Sequence, residues 1–248
     1  MTAKNLFITG ASTGIGAATA RLAAADGWNV AIGYLSSKDA AEAVAADVRA
    51  AGREAMIVPG DVGDPDAIPA MFKAVDAMGP LTGFVNNAGI VGMTQRVEDY
   101  TAERVARIMA VNVTGSILCA SQAVRRMSTK HGGHGGSIVN ISSAAAYIGS
   151  PNQYVDYAAS KAAIDTFTKG LALEVGQEGI RVNAVRPGLI DTELHAKGGE
   201  PGRAERLAHM VPMGRSGSAM EVAQGIVWLL SDGASYVTST TLDVTGGR

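Results

Sequence analysis

The chain has 248 residues, 47% of them hydrophobic, and its 21 basic and 23 acidic side chains leave a formal charge of −2. A near-neutral balance with no basic stripe carries no electrostatic footprint for nucleic acid or an anionic membrane, so the expected partner is a small molecule. No apolar run reaches the roughly 18 residues of a membrane span, and the first residues enter an apolar segment by Leu6 without a charged leader, so neither membrane insertion nor secretion is expected. The one cysteine, Cys119, sits in the apolar run SILCAS as a small core hydrophobe would, and a cytoplasmic location is expected. Length and apolar content fit one α/β domain spanning 1–248.

In chain order, Asn5 to Thr9 reads as a short strand that runs straight into Gly10-Ala-Ser-Thr-Gly14-Ile-Gly16 and then an alanine-rich helix. Glycines there permit a tight turn and let backbone amides approach a pyrophosphate at a helix N-terminus, where the macrodipole favours negative charge. The placement between first strand and first helix favours a dinucleotide over mere punctuation, although the spacing is Gly-x3-Gly-x-Gly. The second strand, Asn29 to Tyr34, leads to a helix that Gly52 is placed to end. An NAD site usually sets an acid near the end of this strand, for the ribose hydroxyls. Here Tyr34, Leu35, Ser36, Ser37 and Lys38 include none, so NADP(H) is preferred and NAD(H) is the alternative. Singly, Ser37 reads equally as a helix cap and Lys38 as a solvated cation.

A third strand, Glu54 to Val58, precedes PGDVGDPDAIPAMF, where Asp64 and Pro65 match the N-cap and N1 positions of a helix. Asp61, just past the strand, either faces the ligand crevice of an open parallel sheet or stabilises its turn. Strand four, Gly83 to Val85, opens into Asn86-Asn87-Ala88-Gly89, either an ordinary turn or two amides suited to a nucleotide's ribose and backbone. From Thr101 the pattern predicts one long helix with Asn112 near its middle: a satisfied core amide, a helix bend, or the group that positions a water beside Lys161. His131-Gly-Gly-His134-Gly-Gly reads as a surface connection, since no carboxylate or cysteine cluster supports a metal there.

GSIVNISS is a buried strand with Ser143 at its emerging end. Beyond it Tyr157 and Lys161 stand four residues apart in the first turns of a helix running through Val175, so both project from one face. A phenol titrates near pH ~10, and a cation held close favours phenolate and draws it toward general acid–base work. Tyr147 and Tyr154 are internal controls, because Pro151 and Ala158 lie four residues beyond them. With Ser143 bonding a substrate oxygen beside the phenol, the group suits carbonyl/alcohol interconversion. Strand six, Ile180 to Val185, ends in Arg186-Pro187-Gly188-Leu189-Ile190-Asp191-Thr192, with Ile190 and Thr192 placed near a nicotinamide. The stretch at about 189–215 mixes glycine, proline and charge, as a flap over a site or a surface excursion would, and its His195, Arg203 and His209 read singly as solvated. A last helix, Ala219 to Leu230, and a seventh strand, Thr241 to Val244, complete a seven-strand, six-helix alternation that predicts an α/β, doubly wound parallel sheet with helices on both faces.

Thr9-Gly10-x3-Gly14-Ile15-Gly16, Asn86-Asn87-Ala88-Gly89, Asn112, Ser143, Tyr157-x3-Lys161 and Pro187-Gly188 together resemble the short-chain dehydrogenase/reductase family, in order and over essentially the whole chain. The run from YVDYAASK to ASYVTSTTLDVTGG looks most like bacterial-type oxidoreductases related to sugar and polyol dehydrogenases and ketoacyl reductases. The resemblance implies a Rossmann-type fold and a tetrad in which Tyr157 exchanges the proton, Ser143 steadies the substrate oxygen, Lys161 binds ribose hydroxyls and lowers the tyrosine pKa, and Asn112 holds a water. It also implies cofactor contacts from Ser12, Thr13, Ile15, Asp61, Val62, Asn87 and Ile190. Gly10, Gly14, Gly16, Tyr34, Ser36, Ser37, Ala88, Gly89, Tyr157, Lys161, Pro187, Gly188 and Thr192 complete the expected cofactor set, with no metal. A homotetramer is implied as well. Two departures stand out: Thr13 occupies a place that is basic in many NADP-using relatives, and the Ser143–Tyr157 interval is one residue long, which leaves Ser142 as a rival. The expected activity is NADP(H)-dependent ketone/aldehyde–alcohol interconversion; the alternatives are an NAD-dependent sugar or polyol dehydrogenase and a non-catalytic dinucleotide-sensing protein.

Overall fold

The structure is a computed structural model that describes residues 4–192 and 198–248. Its centre is a seven-stranded, all-parallel sheet built from β1 (Asn5–Ile8), β2 (Asn29–Tyr34), β3 (Ala55–Pro59), β4 (Gly83–Asn86), β5 (Gly136–Ile141), β6 (Ile180–Pro187) and β9 (Thr241–Val244), in the order β3-β2-β1-β4-β5-β6-β9. The inner strands are near-continuous apolar runs because a parallel sheet is covered on both faces. On one face lie α1 (Gly14–Ala25), α2 (Lys38–Ala50) and α9 (Ala219–Leu230), packed on Leu6, Ile8, Val30, Ile32, Val139 and Val185. Small side chains such as Ala17, Ala20 and Ala24 let α1 lie close against α9. On the other face, α3 (Ala67–Val75), α5 (Ser116–Met127) and α7 (Val155–Val175) cover Phe7, Phe84, Ile138 and Val182. There Phe7 meets Phe72 edge-on, with centroids 5.0 Å apart.

The strand order reverses between β1 and β4, so the loops at their C-terminal ends part and leave a crevice at the topological switch point. The doubly wound expectation holds. Gly52 ends α2 as expected, with φ of +78° and its N–H bonded to Arg49 O.

Four expectations are corrected. Asp64 and Pro65 do not start α3, which begins at Ala67; the Asp64 carboxylate accepts the Asp66 N–H at 3.0 Å and closes a turn ahead of the helix. The single helix from Thr101 is two helices, α4 (Ala102–Met109) and α5, joined by a π-helical turn over Ala110–Gly115. The excursion after β6 adds α8 (Arg203–Leu207) and a second, two-stranded parallel sheet, β7 (Ile190–Asp191) with β8 (Gly217–Ser218). Within that excursion Arg203 is buried rather than solvated, because its guanidinium stacks on Tyr154 and bonds Gln153 Oε1 at 2.6 Å; His209 is exposed. His195 lies outside the described residues. A short helix, α6 (Ala145–Ile148), follows β5. No helix among the described residues is long and apolar enough to cross a membrane.

Candidate active site

A cleft of about 540 Å³ opens along the C-terminal ends of β1, β2, β4, β5 and β6. At one end is the glycine turn. Gly10 and Gly14 adopt φ of +63° and +57°, and a Cβ on Gly16 would come within 2.6 Å of both Gly10 O and Asn87 Nδ2. The turn delivers the N-terminus of α1 to the cleft with no side-chain cap and no acid in its first turn, leaving backbone donors to meet an anion. Ser12, Thr13, Gly14 and Ile15 line this wall, whereas Gly16 lies behind it as packing.

Asn87 is the staple that holds the turn. Its Nδ2 donates to Thr9 O at 2.9 Å and Gly10 O at 2.8 Å, while the Thr9 hydroxyl accepts the N–H groups of Asn87 and Ala88. Asn86 Nδ2 is bound to Ser116 O and Asn140 Oδ1. These amide donors are spent inside the protein, and Asn87, Ala88 and Gly89 line the cleft around them. At the far end lie Tyr34, Ser36, Ser37, Asp61 and Val62. Ser37 precedes α2 without a side-chain capping bond, so its hydroxyl is not consumed there. Asp61 both holds its turn, accepting the Gly63 N–H at 2.8 Å, and pairs with Arg107 at 2.9 Å.

At the other end Ser143, Tyr157 and Lys161 share one wall. Tyr157 is half-buried in the first turn of α7; burial pushes its phenol up from the ordinary value, and a hydrogen bond with the Ser143 side chain opposes that. Ser142 also lines the cleft, but its hydroxyl is spent donating to Lys161 O at 3.1 Å, whereas the Ser143 hydroxyl accepts the Ala145 N–H and keeps its proton to donate. The Lys161 side chain is buried and reaches across to β5, where Nζ donates to Ile141 O at 2.8 Å and lies 5.7 Å from the Tyr157 ring centroid. Burial pushes its ammonium down to about 8, against the attraction of Asp165. Burial is the largest influence on both groups, and the nearest hydrogen-bond partner of Nζ is a carbonyl.

Asn112 is fully buried in the π-helical turn and is a satisfied amide. Oδ1 accepts the Ile90 N–H, and Nδ2 donates to Ile90 O and Ser160 Oγ, all at 2.9 to 3.0 Å. A Cβ on Gly89 would lie 3.4 Å from Asn112 Oδ1 and 3.3 Å from Lys161 Nζ, so the bare glycine opens a gap between them. Pro187, Gly188, Ile190 and Thr192 line the cleft from the outlet of β6, and Thr192 Cγ2 reaches over the glycine turn to 3.7 Å from the Cβ position of Gly14.

Sequence reasoning missed the clamp on the first turn of α7. Asp156, almost fully buried, takes Arg104 Nε at 2.7 Å and Nη2 at 3.2 Å, and also accepts the Tyr157 N–H. Burial pushes Asp156 up, but the Arg104 guanidinium and the Tyr157 N–H outweigh it and hold the carboxylate below its ordinary value. Only the acid in a first helical turn was visible beforehand; its partner lies 52 residues away. Ile148, Tyr154, Leu189 and Arg203 also line the catalytic end and carried no local signal.

The whole cleft suits a dinucleotide: an uncapped helix end for phosphates, a turn too tight for side chains, and a serine, a tyrosine and a lysine sharing one wall. Comparison with known proteins agrees. A family model described as Enoyl-(Acyl carrier protein) reductase matches residues 10–248. The chain is 54% identical over 243 residues to the protein named Uncharacterized oxidoreductase YgfF of Escherichia coli K12, covering 98% of each chain. It is 38% identical over 253 residues to a 3-oxoacyl-[acyl-carrier-protein] reductase of Synechocystis, covering 100% of this chain and 97% of the relative. A short chain dehydrogenase from Burkholderia cenocepacia, solved in complex with NADP, superposes with a TM-score of 0.89 at 34% identity over 98% of this chain and 97% of its own. Sequence, sheet order and matched length agree that the chain belongs to the short-chain dehydrogenase/reductase family of oxidoreductases.

Proposed function

We propose that the chain interconverts a ketone or aldehyde and its alcohol with NADP(H), Tyr157 serving as general acid and base. The observation that supports this reading is that Ser143, Tyr157 and Lys161 line one cleft together with an uncapped helix N-terminus. When bound, the nicotinamide supplies or takes the hydride. Ser143 and the Tyr157 hydroxyl hold the substrate oxygen, and Tyr157 gives it the proton in reduction and recovers it in oxidation. Lys161, anchored to Ile141 O beneath the cleft, would hold the ribose hydroxyls through its ammonium and favour phenolate at Tyr157. Asn112 fixes the strand end at Ile90 and, through the gap beside Gly89, a water that reprotonates Lys161. The α1 N-terminus takes the pyrophosphate, and Gly10, Ile15, Val62, Ala88, Gly188 and Ile190 pack along the dinucleotide.

Preference for NADP(H) rests on the absence of an acid from Tyr34 to Lys38 and on the hydroxyls of Ser36 and Ser37 at the N-terminus of α2. NAD(H) with a sugar or polyol is the second reading, favoured because Lys38 is not among the residues lining the cleft and the lining Arg107 is paired with Asp61. Titration with both dinucleotides decides: tighter NADH binding would refute the preference. The excursion from Leu189 to Arg215 acts as the substrate flap of a single catalytic domain, and a cytoplasmic homotetramer is part of the same reading, supported by half-exposed Trp228 and the open edge at β9. Purified protein screened against ketones, sugars and polyols, with nicotinamide absorbance followed, tests the activity. Loss of turnover in Tyr157→Phe alongside an active wild type excludes a non-catalytic dinucleotide sensor.

A further inference from the structure

Asp165 lies one helical turn beyond Lys161 on α7, so the two side chains share a face. Its Oδ2 is gripped by Arg186 of β6, at 3.0 Å from Nε and 2.9 Å from Nη2. Its Oδ1 is buried and has no hydrogen-bond partner. An ionic oxygen left bare in the interior is costly, and one that persists calls for a reason beyond packing. Arg186 does not surrender itself wholly to Asp165: Nη1 also reaches Asp243 of β9 at 3.4 Å, and the guanidinium stands over the Tyr147 ring of α6 at 5.4 Å. One oxygen is therefore tied down by a shared cation while the other stays available to act through space.

We propose that Asp165 is a positioning residue of the active site, its uncommitted carboxylate oxygen holding the buried Lys161 ammonium in its charged, ribose-binding form, with Arg186 setting how much of that charge Lys161 feels. The inference rests on the reading of Lys161 as a ribose ligand. The charged and titratable groups around the pair are few. Tyr157 faces Lys161 from its own helix, Asn112 and Ile141 O are its neutral neighbours, and among the described residues Asp165 is the charge that acts on it; Arg186, Asp243 and Tyr147 face Asp165 from β6, β9 and α6. Burial holds Lys161 down at about 8 even with Asp165 opposing it, so loss of that opposing negative charge moves its titration further toward the neutral range.

The test is NADPH affinity from pH 7 to pH 10, read by nucleotide fluorescence on folded wild type, Asp165→Asn, Arg186→Met and Asp243→Asn. Wild type is expected to lose affinity as Lys161 deprotonates. In Asp165→Asn that loss should begin roughly half a pH unit or more lower. Arg186→Met, which leaves the carboxylate uncompensated, should move the loss to higher pH. Asp243→Asn, which leaves Arg186 to Asp165 alone, should move it to lower pH by less than Asp165→Asn does. A loss in folded Asp165→Asn that coincides with wild type overturns the inference, and so does a downward move in Arg186→Met, which decides the matter if Asp165→Asn does not fold. Wild type that binds NADPH without an alkaline loss overturns the inference alone, whereas wild type that does not bind it overturns the proposed function as well.

Discussion

Lys161 is an ammonium inside the protein, and its thermodynamic signature follows from that. Its folded value of about 8 lies below the ordinary 10.5 because burial disfavours the charged form. Below pH 8 both folded and unfolded chains hold the proton, and the full cost of the buried charge is present. Between about 8 and 10.5 the folded chain sheds it first and stability rises with pH. Lys161→Met should therefore stabilise the apoprotein at pH 7 by about 2 kcal/mol, the gain shrinking toward pH 10, as thermal melts at both pH values will show, while dinucleotide affinity falls. Tyr157→Phe removes only a hydroxyl: kcat should drop by roughly 10² to 10⁴ with melting temperature and nucleotide affinity little changed, by steady-state kinetics and fluorescence titration.

Helix α7 is held from outside by a buried ion pair. Arg104 binds Asp156 while also donating to Met93 O and Gln95 Oε1 and stacking on Tyr100 at 4.1 Å. Asp156→Ala leaves that cation unpaired and should cost about 3 kcal/mol by denaturant melts, with kcat reduced because the first turn carrying Tyr157 loses its anchor. At the far end of the chain α9 is started by a reciprocal cap, Ser218 with Glu221, and Ser218→Ala should cost about 1 kcal/mol in the same assay. Of these devices the sequence displayed the local ones. Alternating apolar runs and glycine punctuation made the strands, α1 and α7 legible, and the Tyr157–Lys161 interval was readable because one helical turn sets it. The π-helical turn was not, since the Ile90 backbone that its Asn112 bonds lies 22 residues away. Arg104, Arg203 and the inward-turned amides of Asn86 and Asn87 were hidden likewise, for their partners lie on other elements.

Across the whole molecule, the two halves of the sheet meet at the crevice between β1 and β4, and a ligand bridging them ties the fold together. NADP(H) at a hundredfold excess over its dissociation constant should stabilise the protein by about 2.7 kcal/mol, a rise of roughly 5 to 10 °C in thermal melts, and NAD(H) at equal concentration by less. The small β7–β8 pair adds a consequence of its own. Ile190 is registered with Gly217 and Asp191 with Ser218, so the chain leaves and re-enters the body at nearly one point. Whatever is threaded between those anchors is a cassette plugged into a fixed socket. Exchanging residues 199–210 for those of a relative should retune which carbonyl compound is accepted while nucleotide affinity stays the same, which pairs of kinetic and binding measurements on the graft can establish. Novelty in chemistry would then come from the plug, and the socket would be inherited unchanged.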